Sequence, residues 1–359
     1  MESAKGRLRK VFANADFDKA LILDTNFDDS NFLYLTGYAP GWYEGCVLVA
    51  DRNGMTLFAN RLVCGTAEKN RPKELKVIPV DTREQMTNAL RNEIGRETVG
   101  IDKGFVPYAS YLMLRRMAPK AKIVDAAAAF GKAREIKDSD ELSKIRTAVR
   151  ITKNAIESVR ANLSDGVSEL DVSARMDIEF RRAHAGNAFN SIIAFGADTS
   201  MPHYMPQGNK RLKPNTIVLM DVGARFKNYC GDITRTFFYK PDRSSVSYKK
   251  LKEIYDVVEA AQQKGLEKME NCANGALADK AARDYIDTYR DGKYKGRFIH
   301  TLGHSIGIDV HDGARLYYKA KYMLASGMVF SDEPGIYVPG LGGVRMEDDV
   351  VIGKRPRFL

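Results

Sequence analysis

The stretch Thr216 to Val222, TIVLMDV, reads as a buried strand with one acid inside it, Asp221. After Ala224 to Asn228 the chain resumes as Tyr229 to Phe238, YCGDITRTFF, and a second apolar run carries Asp232. A hairpin centred between Phe226 and Lys227 sets the two aspartates opposite each other, with Cβ atoms ~4.5–5.5 Å apart. Two ionised carboxylates that close repel, and these strands are too apolar to solvate them. A shared proton or a cation must compensate. A pair of divalent metals, held ~3.5–4 Å apart, does so best.

The same logic returns near the end of the chain. Met328 to Tyr337 carries Glu333, Val344 to Ile352 carries Glu347, and VPGLGG joins the two runs. Centred on Gly340, the hairpin opposes the two glutamates, though a β-bulge would move the register by one residue. Any one of these acids alone reads as a surface group. Two opposed pairs among Val, Ile, Met and Phe favour the metal.

All five histidines, His184, His203, His300, His304 and His311, lie in the second half of the chain. His304, in the segment GHSIG, offers a nitrogen donor beside residues small enough for close approach. Four carboxylates and one imidazole suit Mn2+, Co2+, Fe2+ or Zn2+ rather than a soft metal. His300 and His304 have the spacing of an HExxH helix, but no Glu follows His300 and Gly303 weakens a helix there. His311 would face away from His304 on a straight strand. If both line one site, the chain bends, most easily at Gly307.

A chain of 359 residues fits two domains. In the first, residues 1–135, the runs KALIL (19–23), CVLVA (46–50), MTLFA (55–59), KVIPV (76–80) and TVGID (98–102) read as strands. The second and third form a hairpin across Asp51 to Gly54, and a helix is expected over Arg83 to Glu97. Strands interleaved with helices make an α/β domain. Apolar residues at three- and four-residue steps then predict one long helix from Lys132 to Ala161, with Asp138 and Glu141 as a capping pair. A helix from about Ser168 to Ala185, strands to about 240, two helices around 246–291 and a Gly-rich strand region fill the second domain, residues 136–359.

The excess of basic over acidic residues, 56 against 46, is +10 and is spread along the chain. It reads as a solvated surface more readily than as a nucleic-acid site. Apolar stretches fall well short of the ~18–20 residues needed to span a bilayer. The charged start MESAKGRLRK does not read as a signal peptide, and Cys46, Cys64, Cys230 and Cys272 form no disulfide framework. The expected location is cytoplasmic.

The segments Phe189 to Thr236, Ile299 to Leu316 (IHTLGHSIGIDVHDGARL) and Asp332 to Val350 (DEPGIYVPGLGGVRMEDDV) resemble the creatinase/prolidase/aminopeptidase P group of pita-bread metallopeptidases. The resemblance covers the second domain, and the linker AREIKDSDEL (133–142) and the first domain also resemble that group. It implies an α/β N-terminal domain followed by an α+β pita-bread catalytic domain. It also implies that Asp221, Asp232, His304, Glu333 and Glu347 bind two divalent ions, Mn2+ or Co2+ ahead of Zn2+ or Fe2+, with Asp232 and Glu347 bridging. The sequence departs from the group at Ser305 and Gly231, where Gly and Ser are common, and at Asp312, where Glu follows the histidine. Both Ser305 and Gly231 are small and are expected to disturb little.

What the resemblance implies for chemistry is hydrolysis of Xaa-Pro dipeptides, a metal-held hydroxide attacking the peptide carbonyl. Glu333 would be both ligand and proton shuttle, and His203 would polarise the carbonyl oxygen with His311 beside it. Arg315 suits capture of a free C-terminal carboxylate. Arg345 is expected to orient Glu347, and Trp42 is a candidate substrate contact. The resemblance also implies a homodimer. The alternative within the class is an aminopeptidase P acting on longer Xaa-Pro peptides. A complete ligand set disfavours metal-free creatinase and a non-enzymatic, nucleic-acid- or chromatin-associated relative, and a methionine aminopeptidase would usually lack the first domain.

Overall fold

In the computed structural model, which describes residues 4–24, 29–38, 43 and 45–359, the chain divides into two units, Met1–Glu135 and Ile136–Leu359. The first contains α1 (Ala4–Ala13), β1 (Lys19–Asp24), α2 (Ser30–Thr36), β2 (Cys46–Ala50), β3 (Met55–Ala59), α3 (Arg61–Asn70), β4 (Leu75–Pro79), α4 (Arg83–Ile94), β5 (Thr98–Ile101), α5 (Tyr108–Met117), β6 (Lys122–Asp125) and α6 (Ala127–Glu135). Its six strands make one mixed sheet in the order β4-β3-β2-β1-β5-β6. The β2–β3 hairpin closes on Asp51, whose side chain accepts from the backbone of Asn53 and Gly54 at 2.7 and 3.0 Å. Leu21, Val47, Phe58, Leu90, Val99 and Leu114 share the core of this α/β unit. Helix α4 stops short of Glu97 because Gly95 turns to positive φ, +60°. Trp42 falls outside the described residues.

The helical pattern across Lys132 to Ala161 is two helices rather than one. α6 ends at Glu135 and α7 begins at Ser139 and runs to Ala161. Asp138 between them is extended, accepts from the backbone of Asp140 and Glu141, and in return donates its own N–H to Glu141 Oε2 at 2.8 Å. That reciprocal cap starts a new helix, which hydrophobic spacing alone does not register.

The second unit continues with α8 (Glu169–Arg182), β7 (Gly186–Asn187), β8 (Ile192–Phe195), a 3-10 turn (Gly196–Ser200), β9 (Thr216–Val222), β10 (Ala224–Phe226), β11 (Tyr229–Cys230), β12 (Ile233–Tyr239), α9 (Val246–Leu266) and α10 (Ala276–Thr288). Short strands follow: β13 (Gly303–His304), β14 (Arg315–Leu316), β15 (Val329–Asp332), β16 (Gly335–Val338), β17 (Gly342–Arg345), β18 (Asp348–Val351) and β19 (Arg357–Phe358). Ile254, Val258 and Ala261 of α9 and Ala278, Ala282 and Ile286 of α10 pack with Phe330, Ile336, Val344 and Val350 of the strands. The sheets therefore lie with one side against helices, an α+β arrangement. Among the described residues, no helix is long and apolar enough to cross a membrane.

Candidate metal centre

The first hairpin turns at Lys227 and Asn228, both at positive φ, so Phe226 pairs with Tyr229 and, further along, Asp221 pairs with Thr234. This corrects the expected pairing of Asp221 with Asp232. The same register sets Asp232 opposite Gly223, two residues along from Asp221. A two-residue shift keeps both aspartates on one face, where a shift of one would have separated them. The backbone is crowded here. A Cβ on Gly223 would lie 2.5 Å from the Gly231 carbonyl oxygen, and one on Gly231 would lie 2.7 Å from Val149 N of α7. Gly231 is thus a requirement of helix docking rather than a neutral small residue. The helix is tied to the hairpin by Ala224 N–H donating to Thr152 Oγ1 at 2.9 Å and by Tyr229 OH donating to Glu141 Oε1 at 2.8 Å.

The second hairpin has the expected register. β16 pairs with β17 and β15 with β18 about one centre at Gly340. Between the two ladders, Glu333 and Glu347 stand opposite each other. Their own N–H groups leave the hairpin: Glu347 N donates to Thr234 O at 3.2 Å and Glu333 N to Leu302 O at 2.8 Å. These two bonds carry the glutamates to the first hairpin and to His304.

His304 sits on β13, against which a side chain at Gly303 would overlap the Ser331 carbonyl. Its N–H donates to Ser331 Oγ at 3.0 Å and its Nδ1 lies 2.9 Å from Val310 O. A carbonyl can only accept, so Nδ1 carries the proton and Nε2 presents a lone pair. That nitrogen is 3.3 Å from Glu333 Oε1 and 3.8 Å from Asp232 Oδ2. Asp232, His304 and Glu347, all buried, offer donor atoms within 4.8 Å of one another.

Electrostatics bind the rest of the set to this cluster. Burial first, then Glu347 and Asp221, pushes the Asp232 carboxyl well above its usual range. Burial and Glu347 raise Glu333 likewise, and burial with Asp221 pushes Glu347 up to about 8. Burial, with His311 behind it, pushes His304 down to about 3. Among the described residues, Asp221 Oδ1 and Asp232 Oδ1 are buried without a hydrogen-bond partner. Unpartnered buried carboxylate oxygens beside an imidazole lone pair are the donor set a divalent cation needs. The residues fit the group.

Arg345 reaches Glu347 only through Thr234, and its direct contact is with Asp221. Its Nη2 donates to Asp221 Oδ2, its Nη1 to Tyr337 OH at 2.8 Å and its Nε to Thr234 Oγ1 at 3.1 Å. Glu347 Oε2 instead accepts from Thr234 Oγ1 at 2.6 Å. Asp349 Oδ2 accepts from Asp232 N at 3.0 Å. Sequence reasoning missed Thr234, Tyr337 and Asp349. Only the correct register, which sets Thr234 beside Asp221, would have found the first. His300 bonds to Tyr337 OH through Nε2 at 2.9 Å, which occupies the atom an HExxH ligand would use.

The substrate-side candidates are more exposed. His203 follows the 3-10 turn and is exposed. His311 is exposed, and its ring meets that of His304 edge to face with centroids 4.1 Å apart. The chain turns back between them over residues 307–311, about a centre between Asp309 and Val310 rather than at Gly307 alone, and Gly307 N–H donates to Asp309 O at 3.0 Å inside that turn. Arg315 is exposed and directly opposite His304 in the β13–β14 pair, so the two share a face.

The family model for metallopeptidase family M24 matches residues 143–354, and that for the creatinase/prolidase N-terminal domain matches residues 6–136. An Xaa-Pro dipeptidase of Pyrococcus horikoshii is 30% identical over 325 residues, covering 90% of this chain and 88% of the relative. Among solved structures, an Xaa-Pro dipeptidase from Bacillus anthracis superposes with a TM-score of 0.87 at 27% identity, over 99% of this chain and 96% of that one. An X-Pro aminopeptidase from Thermotoga maritima superposes with a TM-score of 0.86 at 25% identity, over 97% of both chains.

Proposed function

The chain belongs to metallopeptidase family M24, with a creatinase/prolidase N-terminal domain, and on that premise we propose that it hydrolyses Xaa-Pro dipeptides with two divalent cations. The observation that carries this reading is the buried cluster of Asp232, His304 and Glu347, with Glu333 at 3.3 Å from His304 and Asp221 held by Arg345. Asp221, Asp232, His304, Glu333 and Glu347 would hold the pair. Bound there, the cations supply Lewis-acid activation of water and carbonyl at neutral pH.

The protein's own groups do the rest. Glu333 takes the proton of the attacking water and passes it to the leaving proline nitrogen. His203 donates to the carbonyl oxygen as it gains charge, and His311 flanks it. Arg315 receives the free carboxylate of the proline, which selects for dipeptides. Thr234 and Arg345 keep Glu347 and Asp221 aimed, so the site is organised before substrate arrives.

The likeness to an X-Pro aminopeptidase favours a second reading, removal of the first residue from longer peptides. One experiment separates them. The chelated protein is reloaded with Mn2+, Co2+ or Zn2+ in turn and assayed on Xaa-Pro and on Xaa-Pro-Yaa-Zaa. Faster cleavage of the dipeptide is expected; preference for the tetrapeptide overturns the dipeptidase reading, and metal-independent activity overturns both.

A further inference from the structure

Lys137 is a long cationic side chain in a place that solvates it poorly. It precedes the N-cap of α7, its side chain is 1% exposed, and its Nζ lies 3.7 Å from Asp312 Oδ2, itself on a side chain 2% exposed. The same Nζ donates to Ser305 Oγ at 3.2 Å. Burying two such charges is costly and is recovered only with good partners, so a buried ion pair is weak evidence for stability by itself. Its location is more informative.

Ser305 and Asp312 are the two ends of the loop that follows His304 and carries His311. Asp312 N–H donates to Ser305 O at 2.8 Å, and the Asp312 carboxylate fills the space that a side chain on Gly307 would occupy. Between those ends lies Val310, whose carbonyl fixes the ring of His304 at 2.9 Å, and His311, whose ring meets His304 edge to face. Ile306 N–H ties the loop to Val329 O at 3.0 Å on one side, and Cys230 N–H donates to Gly307 O at 2.8 Å on the other. Lys137 reaches both ends from outside the loop. Its own N–H is anchored on Gly327 O at 3.0 Å. Ser305 and Asp312 are also positions where the sequence departs from the pattern it resembles, and here both present oxygen to one ammonium group.

We propose that Lys137 is a positioning residue: through Asp312 and Ser305 it holds the 305–312 loop closed, and so aims His304 Nε2 at the metal cluster and keeps His311 beside it. This rests on the reading that His304 is a metal ligand. It predicts that Lys137, which is outside the proposed ligand set, sets metal affinity.

The test uses the full chain, Mn2+ as probe, and competition against a chromogenic chelator, with thermal melting of the metal-free protein alongside. Lys137→Met is expected to weaken Mn2+ binding by about 10–100-fold, the range seen when partners that orient a ligand are removed. Asp312→Asn removes the other half of the pair and is expected to shift affinity the same way. Ser305→Ala, the mildest change, keeps the test alive if the first two variants fail to fold, and is expected to weaken Mn2+ by a few-fold. Variants that melt lower but bind Mn2+ as the parent does would make the pair a matter of stability alone and overturn the proposal. A parent protein that takes up no Mn2+ would overturn the metal reading itself, a result distinct from the first.

Discussion

Arg345 donates to Asp221 from beneath the acid cluster, buried at 3% exposure, while the same guanidinium holds Tyr337 and Thr234. One cation thus fixes one carboxylate directly and a second, Glu347, through the Thr234 hydroxyl. Removing one partner of a buried pair typically costs about 3–5 kcal/mol, because the other charge stays buried. Arg345→Met is therefore expected to lower the unfolding free energy of the metal-free protein by that order in urea denaturation. Arg345→Lys keeps the charge but loses the fork that reaches three groups at once, and is expected to fall between the two. A methionine variant as stable as the parent would contradict the role assigned to the pair.

Metal uptake is expected to release protons. Burial and neighbouring charge raise Asp232 and Glu333 and push Glu347 up to about 8, so at neutral pH the metal-free cluster retains protons that a cation must displace. The sign for stability follows from the raised values. Their contribution is complete below the ordinary carboxylate range, about 4, and is lost as pH rises through about 8. The metal-free protein is thus expected to melt progressively lower from about pH 4 to about pH 8, and added Mn2+ to rescue it most at the alkaline end. Calorimetry in buffers of different ionisation enthalpy reads the protons directly. Affinity that does not rise with pH would rule this coupling out.

Arg315 offers a sharper test of substrate choice. It is exposed and lies across the β13–β14 pair from His304, so its removal should spare the fold. A charge-assisted hydrogen bond is worth about 1.5–3 kcal/mol, or roughly 10–100-fold in kcat/KM. Arg315→Gln is expected to lose that much on Xaa-Pro and little on the Xaa-Pro amide, which has no carboxylate to bind. Equal losses on both substrates would remove Arg315 from carboxylate recognition.

The contrast between the two hairpins shows what the sequence could and could not disclose. Gly340, at φ +79°, marks its turn openly, and the pairing of Glu333 with Glu347 follows from it. The first hairpin turns on Lys227, a residue with no preference for its φ of +46°, and the centre reads one position early. The error displaced Asp232 by two residues, an even number, and so left the shared face intact. The break between α6 and α7 escaped because apolar spacing continues through it. The Arg345, Thr234 and Tyr337 network escaped because it joins the second hairpin to β12 of the first, a neighbour no local pattern names. Acids inside apolar runs are legible; what holds them in place is tertiary.

Glycine contacts supply a last, paired prediction. Gly231 meets the backbone of α7 at Ala148 and Val149, at 2.7–3.0 Å for an added Cβ, and backbone there cannot swing aside as a side chain tip could. Gly131, inside α6, has nothing among the described residues within 4 Å of the same added atom. Gly231→Ala is expected to cost about 1–3 kcal/mol, as overpacking does, and to loosen Asp232, which follows directly in the chain. Gly131→Ala fills open space in a helix and is expected to gain about 0.4–1 kcal/mol by restricting the unfolded chain. Urea melts of the two variants should therefore move in opposite directions from the parent, and Mn2+ affinity should fall only in the first. If Gly231→Ala were tolerated without loss of stability, helix α7 would not be seated on the aspartate hairpin as closely as described.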